Sequence, residues 1–178
     1  MKINSLLMLA VVVVGCGAPL PAPCGASYVD SSLTSVTLAQ DCQEAKRDSA
    51  GVCLTGFACT ELCTQTSMQL SFVSHELMAA TVEIKAVRLI DPVNGKVLSN
   101  LAWRDPQSWS VEKYVAWDQQ LAPSVELKAT YKLSAPTYGD QSGARLYEKT
   151  YKVEVDLEID GQLRTLSVDA QREPEVVT

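Results

Sequence analysis

The stretch that decides the fold is Tyr151-Lys-Val-Glu-Val-Asp-Leu-Glu-Ile159, followed at once by Asp160-Gly161. Tyr151, Val153, Val155, Leu157 and Ile159 alternate with Lys152, Glu154, Asp156 and Glu158. Successive side chains of a strand point to opposite faces, so this period of two predicts a strand with one apolar and one charged face. Asp-Gly accepts the positive φ of a tight connection, and Gln162 to Val168 is expected to pair back as a hairpin. Such a strand needs a second apolar layer over its inner face.

Working outward, the same pattern recurs. Met68, Leu70 and Phe72 alternate with Gln69, Ser71 and Val73, and Val125 to Leu133 alternates just as cleanly. Val82, Ile84 and Ala86 alternate with Glu83 and Lys85, but Val87 and Leu89 then fall out of phase, which predicts a bulge or a strand buried on both faces. Asp91-Pro-Val-Asn-Gly95 reads as a turn, with Lys96 to Trp103 returning. Leu33 to Leu38 is rich in β-formers and reads as a first strand. Arg104 to Ser124 is less regular, and Ala135 to Arg145 is a polar loop with Pro136, Gly139 and Gly143. About seven strands and no long helix predict an all-β chain, an antiparallel β-sandwich of about seven strands. Its architecture resembles immunoglobulin-like and fibronectin type III-like domains. No cysteine falls in the late strands and no tryptophan follows a second-strand cysteine, so the resemblance is to architecture only and carries no activity.

The first residues set the address. Lys2 precedes an apolar run from Leu6 to Val14, about the length of a signal-peptide core and well short of the ~20 residues that span a bilayer. Gly17-Ala-Pro-Leu-Pro-Ala-Pro23 then ends any helix, because each proline lacks an N–H. Val13-Val14-Gly15-Cys16 resembles the lipobox of bacterial lipoproteins, with Val13 where that family more often has Leu. The resemblance implies cleavage before Cys16 and lipidation of that cysteine. It also implies a cell-envelope location, leaning to the outer membrane because residue 17 is not Asp. The expected organisation is a signal peptide over 1–15, a lipidated tether over 16–32 and a cysteine-rich segment over 33–63. The sandwich follows over 64–172, with a frayed tail over 173–178.

Without the leader the chain keeps 14 basic and 21 acidic residues, a net charge of −7. No Lys/Arg cluster remains, which argues against a nucleic-acid partner. An anionic surface gives no attraction to anionic lipids, so the lipid on Cys16 carries the membrane attachment.

Cys16 is one of six cysteines; Cys24, Cys42, Cys53, Cys59 and Cys63 remain. Outside the cytoplasm these are expected to form two disulfides and leave one thiol, with connectivity open. The competing reading is a metal-binding or enzymatic module in which Cys53, Cys59 and Cys63 join His75, a chemically sensible zinc set with unusual spacing. His75 is the sole histidine, and no Gly-x-Ser-x-Gly elbow presents a serine to it. Glu154, Asp156 and Glu158 read as a solvated strand face with Lys152, and Asp105, Asp118 and Asp140 as loop carboxylates without a calcium-loop pattern. Trp103, Trp109, Tyr114 and Trp117 fall within fifteen residues. Trp109, Tyr114 and Trp117 are the candidates for a binding surface toward a protein or glycan partner. The expectation is a non-enzymatic, membrane-anchored envelope protein with no cofactor and no metal, in a binding or accessory structural role.

Overall fold

The computed structural model describes residues 28–42, 64–139 and 145–173. Their elements in order are β1 (Val29–Thr37), β2 (Ser67–Ser74), β3 (Ala80–Ile90), β4 (Val97–Asn100) and β5 (Trp103–Ser110). There follow β6 (Lys113–Ala116), β7 (Gln120–Leu121), β8 (Glu126–Leu133), a helical turn α1 (Arg145–Glu148), β9 (Thr150–Ile159) and β10 (Gln162–Gln171). Two five-stranded sheets pack face to face, and every strand pair within them is antiparallel. One has the order β1-β2-β8-β5-β6; the other has β10-β9-β3-β4, with β7 also on β3. β1-β2-β8-β5 and β10-β9-β3 follow the A-B-E-D and G-F-C orders of an immunoglobulin-type sandwich, with β6 hairpinned onto the outer edge. Among the described residues no helix is long and apolar enough to cross a membrane.

The stretch from Tyr151 to Ile159 lies within β9, between β10 and β3, and its five apolar residues are all fully buried. They meet Met68, Leu70, Phe72, Tyr131 and Leu133 of the facing sheet in one core. At about 1.5–3 kcal/mol per large apolar side chain taken from water, β9 alone drives much of the sheet-to-sheet packing. Asp160 and Gly161 both have positive φ, 48° and 79°, and Ile159 pairs with Gln162, which makes the expected two-residue hairpin. The phase slip in β3 is a bulge. Its register against β9 shifts between Ile84 and Ala86, and the buried set moves from Val82 and Ile84 to Val87 and Leu89.

The Asp91–Gly95 turn forms differently from an Asn-Gly two-residue turn. Only Gly95 has positive φ, 71°, and its N–H closes on the Asp91 carbonyl at 2.8 Å. Asp91 holds the loop through its side chain, accepting from the Val93 N–H at 3.0 Å and from Lys149 Nζ at 2.9 Å.

Three corrections to the sequence reading concern the elements. There are ten strands among the described residues, where about seven were expected. The irregular 104–124 region holds most of β5 and all of β6 and β7. Asp105 sits at φ 51° where the β5 register shifts against β8, and Ser108 faces inward, so the alternation is erased. β1 starts at Val29, inside the stretch read as tether, because Val29 and Leu33 alone supply its buried face among serines and threonines. Residues 43–63, which carry Cys53, Cys59 and Cys63, connect β1 to β2 and lie outside the described residues. On either side of that segment the Gln40 N–H donates to the Thr64 carbonyl and the Thr66 N–H to the Gln40 carbonyl, and Asp41 pairs with Arg104 of β5. Glu173 donates its N–H to the Leu38 carbonyl; the rest of the expected tail, residues 174–178, lies outside the described ones. That bond, the Leu38–Arg172 bridge and the Arg164 bond to the Val29 carbonyl join the β1 and β10 edges. Closing two edges on each other protects them from pairing with another chain.

Candidate functional site

β5 and β6 form a hairpin at the other edge of the first sheet. Ser110 pairs with Lys113, so Val111 and Glu112 make a two-residue turn, with φ of 45° and 64°. That geometry is the favoured one for a hairpin but normally falls to Asn and Gly. A left-handed backbone costs an ordinary L-residue about 1–2 kcal/mol. Val111 is β-branched, which makes it a marked exception. Behind this turn Trp109 pairs with Tyr114 in register, the rings edge to face with centroids 4.9 Å apart. Ser108 is buried opposite Ala129, so Trp109 falls on the outward face of the sheet. Half of the Trp109 surface stays open to solvent, and more than a third of that of Tyr114.

Trp117 is a correction. It was a binding-surface candidate with Trp109 and Tyr114, but only 8% of its surface is exposed. Its ring packs on Phe72 (5.8 Å) and Tyr131 (6.3 Å), and its Nε1–H donates to the Gln120 carbonyl at 2.9 Å. It fills the core where the chain crosses from β6 to β7. Trp103 lies at the start of β5, partly exposed and opposite Leu133.

The carboxylates of β9 form an ion-pair lattice. Arg88 of β3 holds Asp156 through both guanidinium nitrogens, at 2.6 and 2.9 Å, and reaches Glu154 at 3.6 Å. Lys152 also binds Glu154, at 2.7 Å, and Lys85 bridges Glu83 and Glu158. The Arg88 guanidinium, with help from the Thr165 hydroxyl, lowers the Asp156 carboxyl below its ordinary value. Lys152 does the same for Glu154, with Arg88 second. Asp156 and Glu154 are thus held ionised by cations, which suits a solvated face and not a shared proton. Asp105 pairs with Lys132 at 3.1 Å, and Asp118 accepts the Gln120 N–H at 3.0 Å; Asp140 lies outside the described residues.

His75 closes the end of β2, where its Nε2 sits 3.1 Å from Asp30 Oδ2 and Tyr28 meets its ring edge-on. Cys53, Cys59 and Cys63, its partners in the metal reading, lie outside the described residues, as do Cys16 and Cys24. Cys42 is among the described residues, and its backbone N–H donates to Gln65 Oε1 at 2.9 Å. Among the described residues no three His, Cys, Asp or Glu side chains gather as a metal site would require.

Sequence reasoning found Trp109 and Tyr114 by their clustering but missed the turn between them. Val111-Glu112 carries no turn signal of its own, and only the register of β5 on β6 reveals it. No family model matches the chain, and no curated protein matches it in sequence.

Proposed function

We propose that this chain is an envelope lipoprotein, held by lipid on Cys16 at the membrane (the outer one where the cell has two), that presents its sandwich to a protein or glycan partner without catalysis. The leader and the Val13-Val14-Gly15-Cys16 motif support the anchor. The observation that carries the binding role is the Trp109–Tyr114 pair. Two large aromatic rings are left in solvent on the outer face of an edge hairpin whose turn is strained at two successive residues. Backbone strain of this kind persists where the local shape is used, and aromatic anchors dominate binding surfaces. Two disulfides and one odd thiol among the remaining cysteines belong to the same proposal, the bridges stapling the cysteine-rich segment to the sandwich.

A pull-down from solubilised membranes with the mature, tagged chain tests the role. Trp109→Ala and Tyr114→Ala are expected to lose the captured partner while the fold, read by circular dichroism, is kept. Capture that is unchanged in both variants refutes the aromatic surface. Cys16→Ser is expected to move the protein out of the membrane fraction. A thiol count on the denatured, unreduced mature chain reports on the bridges, since four or more free thiols contradict them.

A further inference from the structure

The exposed apolar side chains are concentrated at one end of the sandwich. Leu77, Met78 and Tyr28 are 91%, 77% and 70% exposed. Leu77 and Met78 lie in the loop that follows β2, and Tyr28 immediately precedes β1. The Tyr28 carbonyl accepts the His75 N–H at 2.9 Å and its N–H donates to Glu76 Oε1, so chain entry and loop are tied together. Running antiparallel to β8 and past the Ser108–Ala129 pair, β5 carries its tip toward the same end, with Val111 at 88% exposure. At the opposite end Val93, in the β3–β4 turn, is 85% exposed, and Val97 and Trp103 there only 42% and 38%. Scattered exposed apolar residues are ordinary, whereas several at one end mark a contact surface.

The length of chain outside the sandwich says what that surface meets. Cys16 precedes Tyr28 by twelve residues, which reach about 40 Å when fully extended. β9, ten residues long, spans about 33 Å. A domain turned the other way up would spend nearly the whole tether running back along its own length. The anchor therefore draws the Tyr28 end, and not the Val93 end, toward the bilayer.

We propose that this end rests on the lipid surface, with Leu77, Met78, Tyr28 and Val111 reaching into the headgroup region. The surrounding charges are mostly acidic, Asp30, Glu76, Glu112 and Asp160 against Lys113 and Arg164, so the contact is carried by apolar side chains and suits zwitterionic lipid. A few apolar side chains bind a membrane weakly alone, but a tether supplies the effective concentration that makes the contact persist. Trp109 and Tyr114, on the sheet face behind the hairpin tip, then stand beside the membrane and not beneath the domain. The inference rests on the lipid anchor of the proposed function.

The test supplies its own tether, so the two readings fail separately. The Cys16→Ser chain from residue 16 onward, with an N-terminal hexahistidine tag, is held on phosphatidylcholine vesicles containing nickel-chelating lipid. Met78→Trp and Val93→Trp are compared with the parent, with and without bilayer-brominated phosphatidylcholine. Both positions are exposed and the fold is confirmed by circular dichroism. The emission added by Met78→Trp is expected to shift to the blue on vesicles and to be quenched by bromine, while that of Val93→Trp does neither. Equal quenching at both positions, or none at either, overturns the proposal. A blue shift of Met78→Trp that grows with protein concentration in the absence of vesicles also overturns it, because a second copy then covers this end.

Discussion

Replacing Trp117 separates core from surface in the aromatic group. Trp117→Ala removes a side chain that is nine-tenths buried between Phe72 and Tyr131 and opens a cavity between the sheets. Truncations of buried aromatics to Ala cost about 3–5 kcal/mol. The bond from Nε1 to the Gln120 carbonyl, worth about 0.5–1.5 kcal/mol, is lost as well, and that bond holds the crossover into β7. Trp117→Phe keeps most of the apolar contact and loses the bond, for an expected cost of about 1–2 kcal/mol. Trp109→Ala removes little beyond a cross-strand pair with Tyr114, worth about 0.5–1.5 kcal/mol. Urea unfolding of the Cys16→Ser mature chain, followed by far-ultraviolet circular dichroism, reads all three on one scale. The order Trp117→Ala, then Trp117→Phe, then Trp109→Ala is expected, the last two being close. The reasoning is refuted if Trp117→Ala costs no more than Trp109→Ala.

Three further outcomes follow from the same contacts. Asp156 and Glu154 have folded pKa values below their unfolded ones, so their contribution is present above the unfolded carboxylate value, near pH 4, and is lost as pH falls through the folded values. Urea midpoints should fall below about pH 4, and Arg88→Met should flatten that dependence; an unchanged slope would show that the lattice is not coupled to folding. Val111→Asn with Glu112→Gly gives the turn residues suited to two positive φ values and should raise stability by about 1–2 kcal/mol, whereas destabilisation in a thermal melt would argue that no strain resides there. Burial pushes the Tyr138 phenol up to about 12, and its hydroxyl has no hydrogen-bond partner among the described residues. Tyr138→Phe should therefore leave stability unchanged or raise it by up to about 1 kcal/mol, and a loss of that size in the same melt would reveal a bond to the hydroxyl.

The sequence by itself determined the strands whose two faces see different solvents. Tyr151 to Ile159, Met68 to Phe72 and Val125 to Leu133 announce themselves because one face is apolar and the other polar, and period two is then a direct record of burial. Asp160-Gly161 is equally legible, since few residue pairs accept two positive φ values cheaply. The proposed leader rests on sequence alone, on a contiguous apolar run with a cysteine behind it.

What the tertiary structure decided depends on contacts between residues distant in the chain. β1 is serine-rich and is a strand because β2 offers it a partner. β5 hides its alternation behind the irregularity at Asp105 and Pro106. Trp109 and Trp117 look alike in sequence, yet one faces solvent and the other fills the core, because the crossover from β6 to β7 turns Trp117 inward. The gathering of Tyr28, Leu77, Met78 and Val111 at one end is a consequence of strand direction alone. Local pattern reports which side of a strand is buried; only the assembled sheets report which strands end together.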